Sequence, residues 1–255
     1  MTTEIVSPGI VARGLGLLTT SGWVYREVDF DAPQGALALV TGPAGCGKTA
    51  LLLTLAARMR PSAGALRLGD CDAVAQPQRA RRLVGLGETA GVNELDPTLR
   101  VADQVRAELD LYGLGRKRGD VAAALEPVGL ELDARVRVGD LHAADRLLLG
   151  VALAAIGRPA FLVVDDLHED LTPAEHELAL ARLRELTRSG TTIVAGSLDP
   201  ALASRADVVL ALSPNGRPAG GGPCAAELDG ARAANSPHPT DTVATTLPEA
   251  DHALV

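Results

Sequence analysis

The sequence predicts an α/β fold with a mostly parallel sheet over residues 1–213. Three observations carry this. Short, continuous apolar runs recur along the chain, as expected of strands buried on both faces. Helical patterns fall between them, the alternation that builds α/β folds. One run also passes through a glycine-rich turn directly into a helix.

In chain order, a strand over Ala36–Val40 enters the turn Gly42-Pro43-Ala44-Gly45-Cys46-Gly47-Lys48-Thr49, and a helix follows over Ala50–Met59. Residues from about 90 to 140 carry no clear strand and read as helical, with a loop at Gly113–Gly119. A helix over Arg146–Ile156 precedes a strand over Ala160–Val164. The next helix, Pro173–Thr187, opens with Thr172-Pro173-Ala174-Glu175. Thr at the N-cap, Pro at the first helical position and Glu at the third form a capping box. Strands over Thr191–Ala195 and Val208–Leu212 complete the pattern. Residues 214–255 are rich in proline and glycine and have no aromatic or periodic apolar positions. They read as a disordered tail.

Composition narrows the function. Apolar residues are 47% of 255, enough for a sizeable core, and the net charge is −8. A chain this acidic, without a polybasic run, has no footprint for nucleic acid or for anionic lipid. The three cysteines, Cys46, Cys71 and Cys224, show no C-x-x-C and no metal-ligand spacing. That argues against a disulfide framework and a zinc ribbon and fits a reducing, cytoplasmic setting. The N-terminus shows no secretory signal pattern. The apolar run Leu147–Ile156 falls well short of the ~20 residues that span a bilayer.

The turn at 42–49 fits G-x-x-x-x-G-K-[ST], between a strand and a helix as a phosphate loop requires. Glycines let the backbone close around phosphate oxygens, and the exposed N–H groups and helix N-terminus supply partial positive charge. Gly42, Pro43, Ala44, Gly45, Cys46, Gly47, Lys48, Thr49 and Ala50 are therefore candidate ATP-binding residues. Lys48 reaches for the β- and γ-phosphates, and the Thr49 hydroxyl for Mg²⁺. One of only two lysines in the chain sits here. A carboxylate for Mg²⁺ belongs at the end of a second buried strand, and Phe161-Leu162-Val163-Val164-Asp165-Asp166 supplies it. Asp165 is the candidate metal ligand. Asp166 is the candidate catalytic base beside it.

With both motifs placed, residues 10–213 resemble an ATP-binding cassette (ABC) ATPase. The phosphate loop is similar to that family's, as is Pro61-Ser62-Ala63-Gly64-Ala65-Leu66-Arg67-Leu68-Gly69 after the first helix. The resemblance implies a P-loop NTPase core with a parallel-rich sheet, an N-terminal antiparallel β part and a helical subdomain inserted at about 90–150. It implies a dimer of ATP-binding subunits, homo- or hetero-, that drives a separate transmembrane subunit from the inner face of the membrane. It also places Glu88, in Val84-Gly85-Leu86-Gly87-Glu88-Thr89, where the family's glutamine senses Mg²⁺.

The chain departs from the family at four points. Leu141-His142-Ala143-Ala144-Asp145 stands where the signature reads Leu-Ser-Gly-Gly-Gln. Asp166 replaces the catalytic Glu and is set back by roughly 1.5 Å, one C–C bond. Thr172 replaces an acidic residue, and Ser197 falls at the switch histidine. The aromatic that stacks on adenine is expected near Thr19; Trp23 and Tyr25 are close but belong to the following strand. These losses predict slow hydrolysis. They also leave open a hydrolysis-deficient regulatory protein. A GTPase would need Asn-Lys-x-Asp, which is absent. A small-molecule kinase would need an arginine lid, for which Arg79-Arg81-Arg82 and Arg116-Lys117-Arg118 are the candidates.

Overall fold

The computed structural model describes residues 9–114, 120–167 and 171–219. In chain order the strands are β1 (Ile10–Thr19), β2 (Gly22–Ala32), β3 (Leu37–Thr41), β4 (Ala63–Leu68), β5 (Cys71–Asp72), β6 (Val84–Leu86), β7 (Phe161–Val164), β8 (Thr192–Ser197) and β9 (Val208–Ala211). The α-helices are α1 (Lys48–Leu55), α2 (Pro77–Leu83), α3 (Val101–Leu111), α4 (Asp120–Leu125), α5 (Ala143–Ala155) and α6 (Pro173–Arg188).

Two sheets form. An antiparallel one runs β2-β1-β4-β5, and an all-parallel one runs β6-β7-β8-β3-β9. The expected strands at 36–40, 160–164, 191–195 and 208–212 all lie in the parallel sheet, within two residues of the anticipated ends.

Continuous apolar runs are needed because both faces of the parallel sheet are covered. Leu37, Leu39, Leu162, Val164, Ile193 and Ala195 pack with buried residues of α3, α5 and α6. Their neighbours Ala38, Val40, Phe161, Val163 and Val194 pack with α1 and the antiparallel sheet. Helix α1 lies in that second core, with Leu51, Leu52 and Leu55 fully buried. Each such leucine contributes about 1.5–3 kcal/mol by leaving water. The helical stretch before β7 holds α3, α4 and α5, joined by 3₁₀ turns at Glu126–Val128 and Val138–Asp140.

Three features differ from what local pattern suggests. Strand β6 is only three residues long and is not among the strands expected from the apolar runs; it forms because β7 offers it a parallel edge. Strands β1 and β2 were expected only through the family resemblance, since bulges interrupt their alternation. Paired structure also continues six residues past the expected domain edge at 213. Ser213 N–H donates to Arg217 O at 2.7 Å, and Ala219 N–H donates to Ala211 O at 2.7 Å. Arg26 N–H donates to Gly216 O at 3.0 Å, tying this turn to β2. The rest of the tail lies outside the described residues. Among the described residues no helix is long and apolar enough to cross a membrane.

Candidate functional site

The phosphate loop links β3 to α1 at the carboxyl end of the parallel sheet. Gly42, Gly45 and Gly47 have φ of +152°, +77° and +94°, a region that side chains with a Cβ seldom adopt. Space forbids a side chain at two of them. A Cβ on Gly42 would lie 2.6 Å from Leu212 O, and one on Gly47 would lie 2.7 Å from Val24 O. The loop is thus wedged between β2 and the end of β9. Cys46, inside the loop, is buried.

Lys48 folds back over the loop. Its Nζ donates to Gly42 O at 2.7 Å and to Pro43 O at 3.0 Å. These carbonyls hold the ammonium over the loop; an anionic acceptor would be a stronger partner for it. In the first turn of α1, Thr49 Oγ1 donates to Asp165 Oδ1 at 3.4 Å. Parallel pairing makes this meeting possible, because β3 and β7 flank β8, both pair with it in parallel and so end on one side.

Burial pushes the Asp165 carboxyl above the ordinary carboxylate range, and the charge of Asp166 adds to the rise; the Thr49 hydroxyl and Lys48 oppose it. Asp166 has φ +54°, a left-handed conformation. Its Oδ1 is buried and has no hydrogen-bond partner among the described residues. A buried carboxylate oxygen without a donor costs free energy. Water or a divalent cation with its water shell would supply what both aspartates lack. The residues present therefore fit Mg²⁺, and the loop fits the phosphates that accompany it.

Glu88 follows β6 and lines the same cleft, of ≈ 560 Å³, with Thr49, Glu94, Arg146, Asp165 and Asp166. Its carboxylate is already engaged. Arg146 Nε donates to Glu88 Oε1 at 3.0 Å and to Oε2 at 2.9 Å, and Nη2 donates to Oε1 as well. Glu88 therefore faces the same cleft as Thr49 and Asp165 but is held by a guanidinium. Sequence reasoning missed Arg146, reading it only as a helix start. The available signal was a lone cation opening an otherwise apolar helix.

The segment at the signature position opens α5. His142 is the N-cap without a side-chain cap, Ala144 is buried, and Asp145 lies in the first turn. A negative charge there is favoured by the helix dipole. Ser197, at the switch position, is fully buried at the end of β8. Its Oγ accepts from Asp199 N–H at 3.0 Å, and Asp199 in turn accepts from Ala201 N–H at 2.8 Å. Leu167 N–H donates to Gly196 O at 2.7 Å, clamping the two strand ends together. Thr172 caps α6, with Glu175 closing the box.

Tyr25 is buried on β2, and its hydroxyl donates to Thr54 Oγ1 at 2.6 Å. It is unavailable to a nucleotide base. Trp23 is 41% exposed and lies over Gly16. Arg79 pairs with Asp70 at 2.9 Å, and Arg81 Nε donates to Ala57 O at 2.9 Å. Neither lines the Thr49–Asp165 cleft. The second lid candidate, Arg116-Lys117-Arg118, lies outside the described residues.

The ABC transporter family model matches residues 25–168. The chain is 30% identical over 226 residues to the taurine import ATP-binding protein TauB of Pseudomonas aeruginosa, covering 85% of this chain and 80% of the relative. It is 28% identical over 195 residues to the lipoprotein-releasing system ATP-binding protein LolD 2 of Caulobacter vibrioides, covering 74% of this chain and 86% of the relative. Among solved structures it superposes on a dimeric ATP-binding cassette bound to ADP and Pi with a TM-score of 0.70, at 18% identity, over 82% of this chain and 96% of the other. It superposes on cbiO1 from Clostridium perfringens with a TM-score of 0.71, at 17% identity, over 84% and 87%.

Proposed function

Because the chain belongs to the ABC transporter family, we propose that it is the ATP-binding subunit of a membrane complex. In this reading it binds MgATP, dimerises, and couples closure of the dimer to a separate transmembrane subunit at the inner face of the membrane. The observation that carries it is the Thr49–Asp165 hydrogen bond of 3.4 Å. It brings the first turn of α1 and the end of β7 together beside a loop with three left-handed glycines.

Residues 42–50 wrap the phosphates through backbone N–H groups. Lys48 leaves the Gly42 and Pro43 carbonyls for the phosphate oxygens. Thr49 and Asp165 hold Mg²⁺, which neutralises charge on the phosphates when bound. Asp166 accepts the proton of the attacking water, but its short side chain places the carboxylate back from that water. Hydrolysis is accordingly slow. A misplacement of about 1 Å costs on the order of 100-fold in rate.

A second reading, a regulator that binds ATP without turning it over, is favoured by the engagement of Ser197 and the methyl groups of Ala143 and Ala144.

The test is calorimetric titration of the purified chain with MgATP, beside Lys48→Ala, followed by steady-state hydrolysis over a protein concentration series. Binding by the wild type and none by the variant is expected, with turnover per chain rising as protein concentration rises. Equal binding by both would sink the nucleotide reading. Binding with turnover equal to that of the variant would favour the regulator.

A further inference from the structure

The cleft beside the phosphate loop is an unfavourable place for a triphosphate. Glu88, Glu94, Asp165 and Asp166 line it, and Arg146 is the one arginine that does so among the described residues. Arg146 is committed to Glu88 through two different nitrogens, Nε to Oε2 and Nη2 to Oε1, the fork geometry that guanidinium also offers to phosphate. The pair is partly buried, with Arg146 34% and Glu88 16% exposed at their side chains, so its charges are incompletely screened by water. We propose that Arg146 binds the γ-phosphate of the nucleotide and that Glu88 holds it in reserve until the triphosphate arrives.

This rests on the MgATP reading and adds a residue to it. An incoming γ-phosphate carries more negative charge than one carboxylate and presents several oxygens to the same fork. It therefore competes well for the guanidinium. Glu88 is not orphaned by the exchange. Its Oε1 also lies 3.4 Å from the Leu95 N–H, and a carboxylate has about four lone-pair sites. Release turns it toward the Mg²⁺ side of the cleft, the role its position in the sequence suggests. Since Arg146 sits in the first turn of α5 and Glu88 follows β6, the exchange also makes the link between helical insertion and parallel sheet depend on the nucleotide. Arg146 supplies in cis a positive charge at the γ-phosphate, in a chain whose signature segment has lost its serine and glycines.

The test is calorimetry of the full chain with ATP and with ADP, each with and without Mg²⁺. Arg146→Gln should weaken ATP binding roughly tenfold, the scale of one lost charge-assisted contact, and leave ADP binding unchanged. Measured without Mg²⁺, where a metal contact of Glu88 is silent, Glu88→Gln removes the competitor and should strengthen ATP binding severalfold, again without effect on ADP. Arg146→Lys should recover part of the preference for ATP. Equal losses for ATP and ADP in Arg146→Gln, or unchanged ATP affinity in Glu88→Gln, would make the pair a structural brace and overturn the proposal. If thermal melts show that Arg146→Gln is unfolded, Glu88→Gln decides alone. A wild-type chain that binds neither nucleotide overturns the proposed function and this inference together; binding with unaltered ATP/ADP discrimination overturns only the inference.

Discussion

At Gly47 the backbone has φ +94°, and Val24 O stands 2.7 Å from where a Cβ would be. The contact is with backbone, so nothing can swing aside. Gly47→Ala should cost about 2 kcal/mol from the left-handed conformation and the clash together. Chemical denaturation measures this, and a loss below 0.5 kcal/mol would mean that the loop relaxes. Asp166 has the same kind of backbone, φ +54°, but Asp tolerates it better than most residues. There the lever is side-chain length. Asp166→Glu extends the carboxylate by one methylene and should raise turnover roughly tenfold in single-turnover hydrolysis. No increase would mean that the length of the Asp166 side chain does not limit hydrolysis. The phosphate loop was legible because its chemistry is local: glycines, a lysine and a hydroxyl within eight positions. The pairing of Arg146 with Glu88 was not, because the two are 58 positions apart and only packing of α5 against β6 brings them together.

Single hydrogen bonds fix how elements begin and dock. The Thr172 hydroxyl accepts from Glu175 N–H while Glu175 returns to the Thr172 N–H, satisfying two free donors at the start of α6. This box was readable from four consecutive residues. Thr172→Ala should lower stability by about 1 kcal/mol, and Thr172→Ser by much less; equal losses in urea titrations would deny the cap its role. Tyr25, by contrast, joins β2 to α1 through Thr54, and no local pattern announces that contact. Burial pushes its phenol up to about 12. The unfolded phenol ionises near 10, so between pH 10 and 12 the unfolded chain loses a proton that the folded chain keeps. Stability therefore falls as pH rises through this window. Tyr25→Phe should flatten that fall in denaturation series at pH 9 to 11.5, and an unchanged slope would place the cause elsewhere.

The whole chain carries a net charge of −8, which anionic lipid repels. In flotation with phosphatidylserine-rich vesicles the purified chain should stay with the soluble fraction, leaving recruitment to a transmembrane subunit. Co-flotation at physiological salt would mean a membrane-binding surface of its own.

At this scale the sequence alone determined the α/β class, the phosphate loop, Asp165 and Asp166 after a buried strand, and the start of α6. Each is encoded by neighbours in the chain, through apolar runs, glycine at turns and capping. Tertiary structure decided the rest. It closed β1 and β2 across interrupted alternation, gave β6 an edge to pair with, and buried Tyr25 away from any base. It also placed Arg146 on Glu88. Those outcomes depend on which surfaces exclude water together, and such surfaces come from segments distant in sequence that meet only in the folded chain.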